Sequence, residues 1–302
     1  MHLGDGVVTT ECAMAGMAVG TVGVGVAGMM LRRAPKPKPM HFGGAIALAF
    51  AMQMFNVPVF SGASGHVIGG FLLAYWFGPA WATLGMAALL AAETVLFADG
   101  GVMALGLNVT TMAVVPCLVV EPIWRRLARG LSGGAGWGAI AGGAWASVML
   151  AATGCSLALL SRAEVRESAG SWLATMMGVH ALIGLVEAAA TVAAIAVVAA
   201  VAKREAFDVR WRGIGGTAAI AGVAIAAFYG ASPWPDGLEF SLERLGVEAM
   251  ATGWVEWLAA WQQSTAPWPD YGMLLGALAG CAALAGLGWA AARVARGEVR
   301  HA

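Results

Sequence analysis

Charge is what this sequence has least of. Asp, Glu, Lys and Arg make up 11% of its 302 residues, whereas soluble domains carry about 25%, so the solvated surface of a water-soluble enzyme cannot be assembled. Lysine is scarcer still: Lys36, Lys38 and Lys203 are the only three. None sits in a G-x-x-x-x-G-K-[ST] run, which excludes ATP hydrolysis by a P-loop. The four cysteines, Cys12, Cys117, Cys155 and Cys281, lie in apolar stretches and form no C-x-x-C pair, leaving a disulfide framework or thiolate metal site unsupported. Seventeen basic and 17 acidic residues cancel, which removes any global electrostatic case for nucleic acid. The opening Met1–Gly6 has no basic n-region; no cleaved signal peptide is expected, and Met1 and His2 are expected to remain in the mature chain.

Apolar residues are abundant. They form 60% of the chain, with 43 glycines and a mean hydropathy of +0.76, the composition of closely packed membrane helices. A helix needs about 20 apolar residues to cross the hydrocarbon core. Spans are expected near Cys12–Leu31, Gly43–Phe60, His66–Phe77, Pro79–Phe97, Val102–Ile123, Ala139–Ser161, Trp172–Val201, Gly213–Tyr229 and Tyr271–Ala292. The third is short and reads as a tilted or broken helix turning at Gly78-Pro79. The fold class is therefore all-α, a polytopic membrane helix bundle.

Basic residues orient this bundle. With Met1 outside and nine crossings, the inside segments hold Arg32, Arg33, Lys36, Lys38, Arg125, Arg126, Arg129, Lys203, Arg204, Arg210, Arg212, Arg293, Arg296 and Arg300; Arg162, Arg166 and Arg244 fall outside. Such enrichment marks cytoplasmic loops, so the N-terminus is expected outside and the C-terminus in the cytoplasm. The polar run Lys203–Arg212 divides the chain into modules 1–202 and 203–302. In the second, a large external loop is framed by Pro233–Asp236 and Pro267–Asp270. Met250, Trp254, Trp257, Leu258 and Trp261 recur between them at helical spacing, which reads either as an interfacial amphipathic helix or as a lid over the first module.

Gly23–Gly28 fits G-x-G-x-x-G but lies inside an apolar span with no strand before it, so helix packing explains it. Histidine is more informative. His41 and His301 fall at cytoplasmic ends. His2 can combine a free α-amine, its own amide nitrogen and its imidazole around one ion through two fused chelate rings, and planar nitrogen donors suit Ni(II) or Cu(II); the plain alternative is a disordered terminus. His66 lies in the polar Gly/Ser run Phe60–Gly70, on the same side as Met1, and is either a third donor residue or a hydrogen-bonded turn histidine. Glu93, Glu121, Glu187 and His180 are intramembrane ionisable groups, each costly there and each a functional candidate. His180 and Glu187 share a helix face. They act either as supporting groups or, in a reading from another class, as part of an intramembrane metal-dependent hydrolase. Asp99 and Asn108 flank the turn at Gly100-Gly101, with Asn108 placed to orient neighbours.

Several of these segments resemble one family. Met1-His2-Leu3-Gly4-Asp5-Gly6 resembles the MHI-x-[DE]-G start of the CbiM/NikM proteins, substrate-capture subunits of cobalt and nickel transporters of the energy-coupling factor type. Leu3-Gly4 stands where the family more often has Ile-Pro or Ile-Met. Gly62–Gly70 is similar to the family's G-[TC]-S-G-H-x-x-G run, Phe97–Asn108 to its FGDGG…ALGAN stretch, and His180–Glu187 to its H-x-x-I-G-x-x-E helix. Ser232–Glu239 is similar to the PDGLE signature of the small companion CbiN/NikN, with Asp270-Tyr271 at its second point. The resemblance implies a fused chain of seven plus two transmembrane helices. It implies Ni²⁺ or Co²⁺ held by the Met1 amine, the His2 amide and imidazole, and the His66 imidazole; Ser64, Asn108, His180 and Glu187 are expected in support, with no further cofactor. The implied partners are a transmembrane coupling subunit and two ATPase subunits, and the implied location is the bacterial inner membrane.

Overall fold

The computed structural model describes residues 1–54, 56–202, 232–250, 256–257, 260–261 and 271–297. The expected span Gly213–Tyr229, the polar run Lys203–Arg212, the frame Pro267–Asp270, and Trp254, Leu258 and His301 lie outside the described residues. Elsewhere the chain is mostly helical, with six helices long and apolar enough to cross a membrane. It is a multi-pass membrane protein.

After an extended N-terminal segment, α1 covers Thr10–Met30, capped at its start by the Thr9 hydroxyl, and α2 covers Pro39–Gln53. Next come α3 (Gly70–Phe77) and α4 (Pro79–Phe97), broken apart as expected at Gly78-Pro79. A continuous helix, α5, covers Leu105–Leu127 and adopts a π-helical turn pattern over Thr110–Val120, the stretch that contains Pro116. Proline has no N–H to complete an ordinary helical ladder, and π segments often accompany such interruptions. Then follow α6 (Gly133–Leu159), the short α7 (Ala163–Glu167), α8 (Ala169–Ala202), α9 (Gly237–Leu245) and α10 (Tyr271–Arg296).

Two expected spans are shorter than their apolar runs. The helix expected over Gly43–Phe60 stops at Gln53, because Val57–Phe60 (β1) pairs antiparallel with Ala63–Gly65 (β2) in a small hairpin. Val57 and Val59 favour extended backbone and Pro58 disfavours helix before it. The helix expected over His66–Phe77 begins only at Gly70, leaving His66–Gly69 as non-helical backbone. Buried non-helical backbone in a membrane bundle persists only where protein satisfies it, and it is satisfied here. Both Glu187 carboxylate oxygens, from α8, accept hydrogen bonds, from Ile68 N (2.5 Å) and Gly69 N (3.0 Å), while Gln53 Nε2 donates to Ile68 O (2.8 Å).

Glycine sets the closest helix contacts. A Cβ on Gly20 of α1 would sit 2.6 Å from the Gly106 carbonyl oxygen of α5, and one on Gly106 would strike the Met17 backbone. On the other side, a Cβ on Gly288 of α10 would lie 2.9 Å from Gly43 Cα of α2. These backbones touch because neither helix carries a side chain there, the small-residue packing characteristic of membrane interfaces. Helices α6 and α8 also pack along each other.

Replacing Gly106 with valine should therefore push α1 from α5 and cost about 1–3 kcal/mol, the usual penalty of overpacking. Gly25→Val, where a Cβ meets nothing within 4 Å, should leave thermal unfolding of the detergent-solubilised chain nearly unchanged. Equal melting temperatures for the two variants would contradict this packing.

Candidate metal centre

The N-terminal segment is threaded into the bundle rather than left at its surface. Met1 is 5% exposed and Leu3 fully buried. The side-chain amide of Asn108, on α5, treats Leu3 as a neighbouring strand would: Leu3 N donates to Oδ1 (2.8 Å) and Nδ2 donates to Leu3 O (3.1 Å). Gly101 N adds a bond to the same carbonyl, 2.8 Å. The Asp5 carboxylate accepts from Val102 N, Met103 N and Ala104 N at 2.8–3.1 Å, satisfying the backbone donors of the turn that leads into α5. Further along, Met250 N donates to Gly6 O (2.8 Å). The buried Arg162 guanidinium reaches both Gly6 O (3.2 Å) and Glu248 O (3.1 Å), tying this segment to the loop after α9.

These anchors deliver three nitrogen groups to one place. The Met1 amine donates to His66 Nε2 at 3.0 Å and forms a close ion pair with Asp236 Oδ2. The His2 and His66 rings stack with centroids 5.1 Å apart and planes 7° from parallel. His66 Nδ1 faces the Val67 carbonyl at 3.4 Å, so its Nε2 lone pair is the one turned toward Met1. His2 Nδ1 lies 2.8 Å from Asp99 Oδ1 and Nε2 lies 3.4 Å from Glu93 Oε2.

Asp236 is held from its own side. It caps α9, its Oδ1 accepting from Leu238 N (2.8 Å) and Glu239 N (2.9 Å) while Glu239 returns a bond to Asp236 N (3.0 Å). This reciprocal capping box leaves Oδ2 for Met1. Ser64 secures the preceding residues: its N donates to Pro235 O (2.9 Å) and its hydroxyl to Trp234 O (2.7 Å). Burial alone would lower the Met1 ammonium pKa, but the charge and hydrogen bond of Asp236 raise it above the ordinary value. His2 likewise overcomes burial through Asp99 and then Glu93, and rises to about 10. His66 goes the other way, to about 3, through burial and then the adjacent ammonium and His2. Burial would raise Asp99 and Asp236; His2 outweighs it for the first and the Met1 ammonium for the second, holding both below the usual carboxylate range.

The sequence-derived set divides cleanly. Met1, His2 and His66 come together. Asn108 holds Leu3, Ser64 holds Trp234 and Pro235, and Glu187 holds the backbone after His66. His180, fully buried, gives its Nδ1 to Met176 O (2.8 Å) and is not paired with Glu187. Among the described residues no cluster of three or more His, Cys, Asp or Glu side chains is arranged to hold a metal, whereas the Met1–His2–His66 group draws part of its nitrogen from the main chain. Sequence reasoning did not place Asp5, Glu93, Asp99, Arg162 or Asp236 at the site. Glu93 carried the nearest signal, as an intramembrane carboxylate, while Asp99 and Asp236 each stood beside glycine in a polar turn expected on the outer side.

Comparison with known proteins decides the family. Residues 2–205 match the CbiM family, described as the cobalt uptake substrate-specific transmembrane region. The chain belongs to the CbiM family. A chain of Archaeoglobus fulgidus that carries the name fused nickel transport protein NikMN is 33% identical over 201 residues, 66% of each chain. A metal transport protein of Haloquadratum walsbyi is 32% identical over 66% of this chain and 90% of its own. The match thus spans just under two thirds of the Archaeoglobus protein. A solved structure of a transition metal transporter superposes with a TM-score of 0.58 at 26% identity, covering 68% of this chain and 95% of that one. Membership places this CbiM-family chain among metal-transport proteins rather than enzymes, which sets aside the hydrolase reading of His180 and Glu187.

If Asn108 is the clamp on the N-terminal segment, Asn108→Ala should expose Leu3 and Gly101 amides. Loss of bonds worth about 1–3 kcal/mol corresponds to roughly ten- to a hundred-fold faster hydrogen exchange there; unchanged protection by mass spectrometry would contradict the assignment.

Proposed function

We propose that the chain is the substrate-binding component of an ATP-driven energy-coupling factor transporter for nickel or cobalt, and that the ion is held by the Met1 amine, the His2 amide and imidazole, and the His66 imidazole. The carrying observation is the 3.0 Å separation of Met1 N and His66 Nε2. Two donors at a right angle on one ion, each bond about 2.1 Å long, are about 3.0 Å apart. In a planar set with two fused chelate rings, His66 falls beside the amine, as here.

Charge supports the same reading. The ammonium and the His2 imidazolium face Asp236 and Asp99; a divalent cation that displaces their protons meets two carboxylates already in place. Four nitrogens in a plane favour Ni(II), while Co(II) more often accepts additional ligands.

The remaining parts of the reading follow from position. The candidate centre sits at the end of the bundle where α1, α8 and α9 begin and α6 ends, and the distribution of Lys and Arg assigns that end to the outside. Residues 1–202 form the metal-binding module, and 203–302 a CbiN/NikN-like module whose Asp236 reaches the centre. ATP hydrolysis falls to two ATPase subunits joined through a transmembrane coupling subunit, since the chain has no P-loop.

Amine, amide and His2 imidazole must all lose protons to bind the ion, so affinity falls as pH falls, with a slope approaching about three protons per ion. An N-terminal extension should abolish nickel binding by calorimetry while leaving the helical circular dichroism intact, and His66→Ala should weaken it strongly. Full-strength binding in either variant, or pH-independent binding, would overturn the site.

A further inference from the structure

Glu93 is a carboxylate that the proposed donor set does not use. It lies on α4, inside a membrane-spanning helix, and is fully buried. Neither of its oxygens has a hydrogen-bond partner. A buried carboxylate without one is costly, so its position calls for a chemical reason. What it faces is His2: Oε2 lies 3.4 Å from Nε2, a contact whose alignment falls short of a hydrogen bond. Asp99 takes the other ring nitrogen, Nδ1, at 2.8 Å, and the His66 ring covers one face.

The chemistry of residue 2 makes its two ring nitrogens unequal. With the His2 amide nitrogen on the ion, a six-membered chelate ring closes through Cα, Cβ, Cγ and Nδ1. Nε2, on the far side of the imidazole, cannot close it. Coordination therefore takes Nδ1 from Asp99 and leaves Nε2–H to a different acceptor. Metal-ligating histidines almost always give their second N–H to a carboxylate, carbonyl or water, which fixes the ring's tautomer and orientation. Glu93 is the acceptor on that side.

We propose that Glu93 is the positioning carboxylate of metal-bound His2, gripping Nε2–H when Nδ1 turns from Asp99 to the ion. The inference rests on the donor set proposed above. It assigns the two carboxylates around His2 to different partnerships of the same ring: Asp99 with Nδ1 before coordination, Glu93 with Nε2 during it. The 3.4 Å contact has room to shorten as the ring turns.

The test is a double-mutant cycle on the detergent-solubilised full-length chain, titrated with Ni²⁺, and with Cu²⁺ where nickel binding becomes too weak because copper binds nitrogen sets more tightly. Glu93→Ala should weaken binding ten- to a hundred-fold, the usual cost of losing such a partner. Glu93→Gln, whose amide oxygen still accepts from Nε2–H, should recover part of that loss. The position of the nickel absorption band should stay put, because the donors are the same. In a His2→Ala background the effect of Glu93→Ala should vanish; a role in packing would persist there. Wild-type affinity in Glu93→Ala, or an equal loss in both backgrounds, would overturn the proposal. If His66→Ala and the N-terminal extension lose nickel while Glu93→Ala does not, this inference alone fails; if those two also bind normally, the donor set fails with it.

Discussion

The structure depends on a charged chain terminus buried in an apolar bundle. An ammonium out of water is tolerable only with a charged partner and satisfied hydrogen bonds, and Met1 finds both in Asp236 and His66. That requirement fixes more than one atom. Asp236 must be held still, which the capping box of α9 does, and the residues before it must lie against the β1–β2 hairpin, which Ser64 secures. His66 must stand at the end of a hairpin whose following backbone has no helix to satisfy it, so Glu187 supplies the missing acceptors.

Most polar side chains in the core therefore serve backbone rather than chemistry. Asn108 acts as a strand edge for Leu3, Asp5 holds the turn before α5, Gln53 and Glu187 brace the backbone after His66, and Arg162 joins Gly6 to Glu248. In water each of these bonds would be worth little net. Within a membrane bundle an unmet N–H or C=O costs several kcal/mol, so together they pin the extended N-terminal segment in one conformation. The nitrogen cluster inherits its definition from them.

Much of this was legible from residues alone, for identifiable reasons. Helices announce themselves through apolar length, and the resemblance of four motifs, in order, to one family implied Met1, His2 and His66. What was not legible was the hairpin at Val57–Gly65, because an apolar run cannot by itself distinguish a buried strand from helix. Nor were the roles of Asp99, Asp236 and Glu93. Their partners are distant in sequence, 235 residues in the case of Met1 and Asp236, and only the threading of the N-terminus brings them together. His180 and Glu187 share a helix face as their spacing suggests, yet one turns to its own helix and the other to a loop.

The contact between Gly43 and Gly288 has a further consequence. It seats α10 directly on α2, so the C-terminal part of the chain is built into the bundle as well as bonded through Ser64 and Asp236. Were those pieces separate polypeptides, their encounter would depend on the abundance of each in the membrane. On one chain the meeting is intramolecular, governed by effective concentration and not by expression. Every copy then carries one capping carboxylate per nitrogen cluster, and stoichiometry is settled at translation.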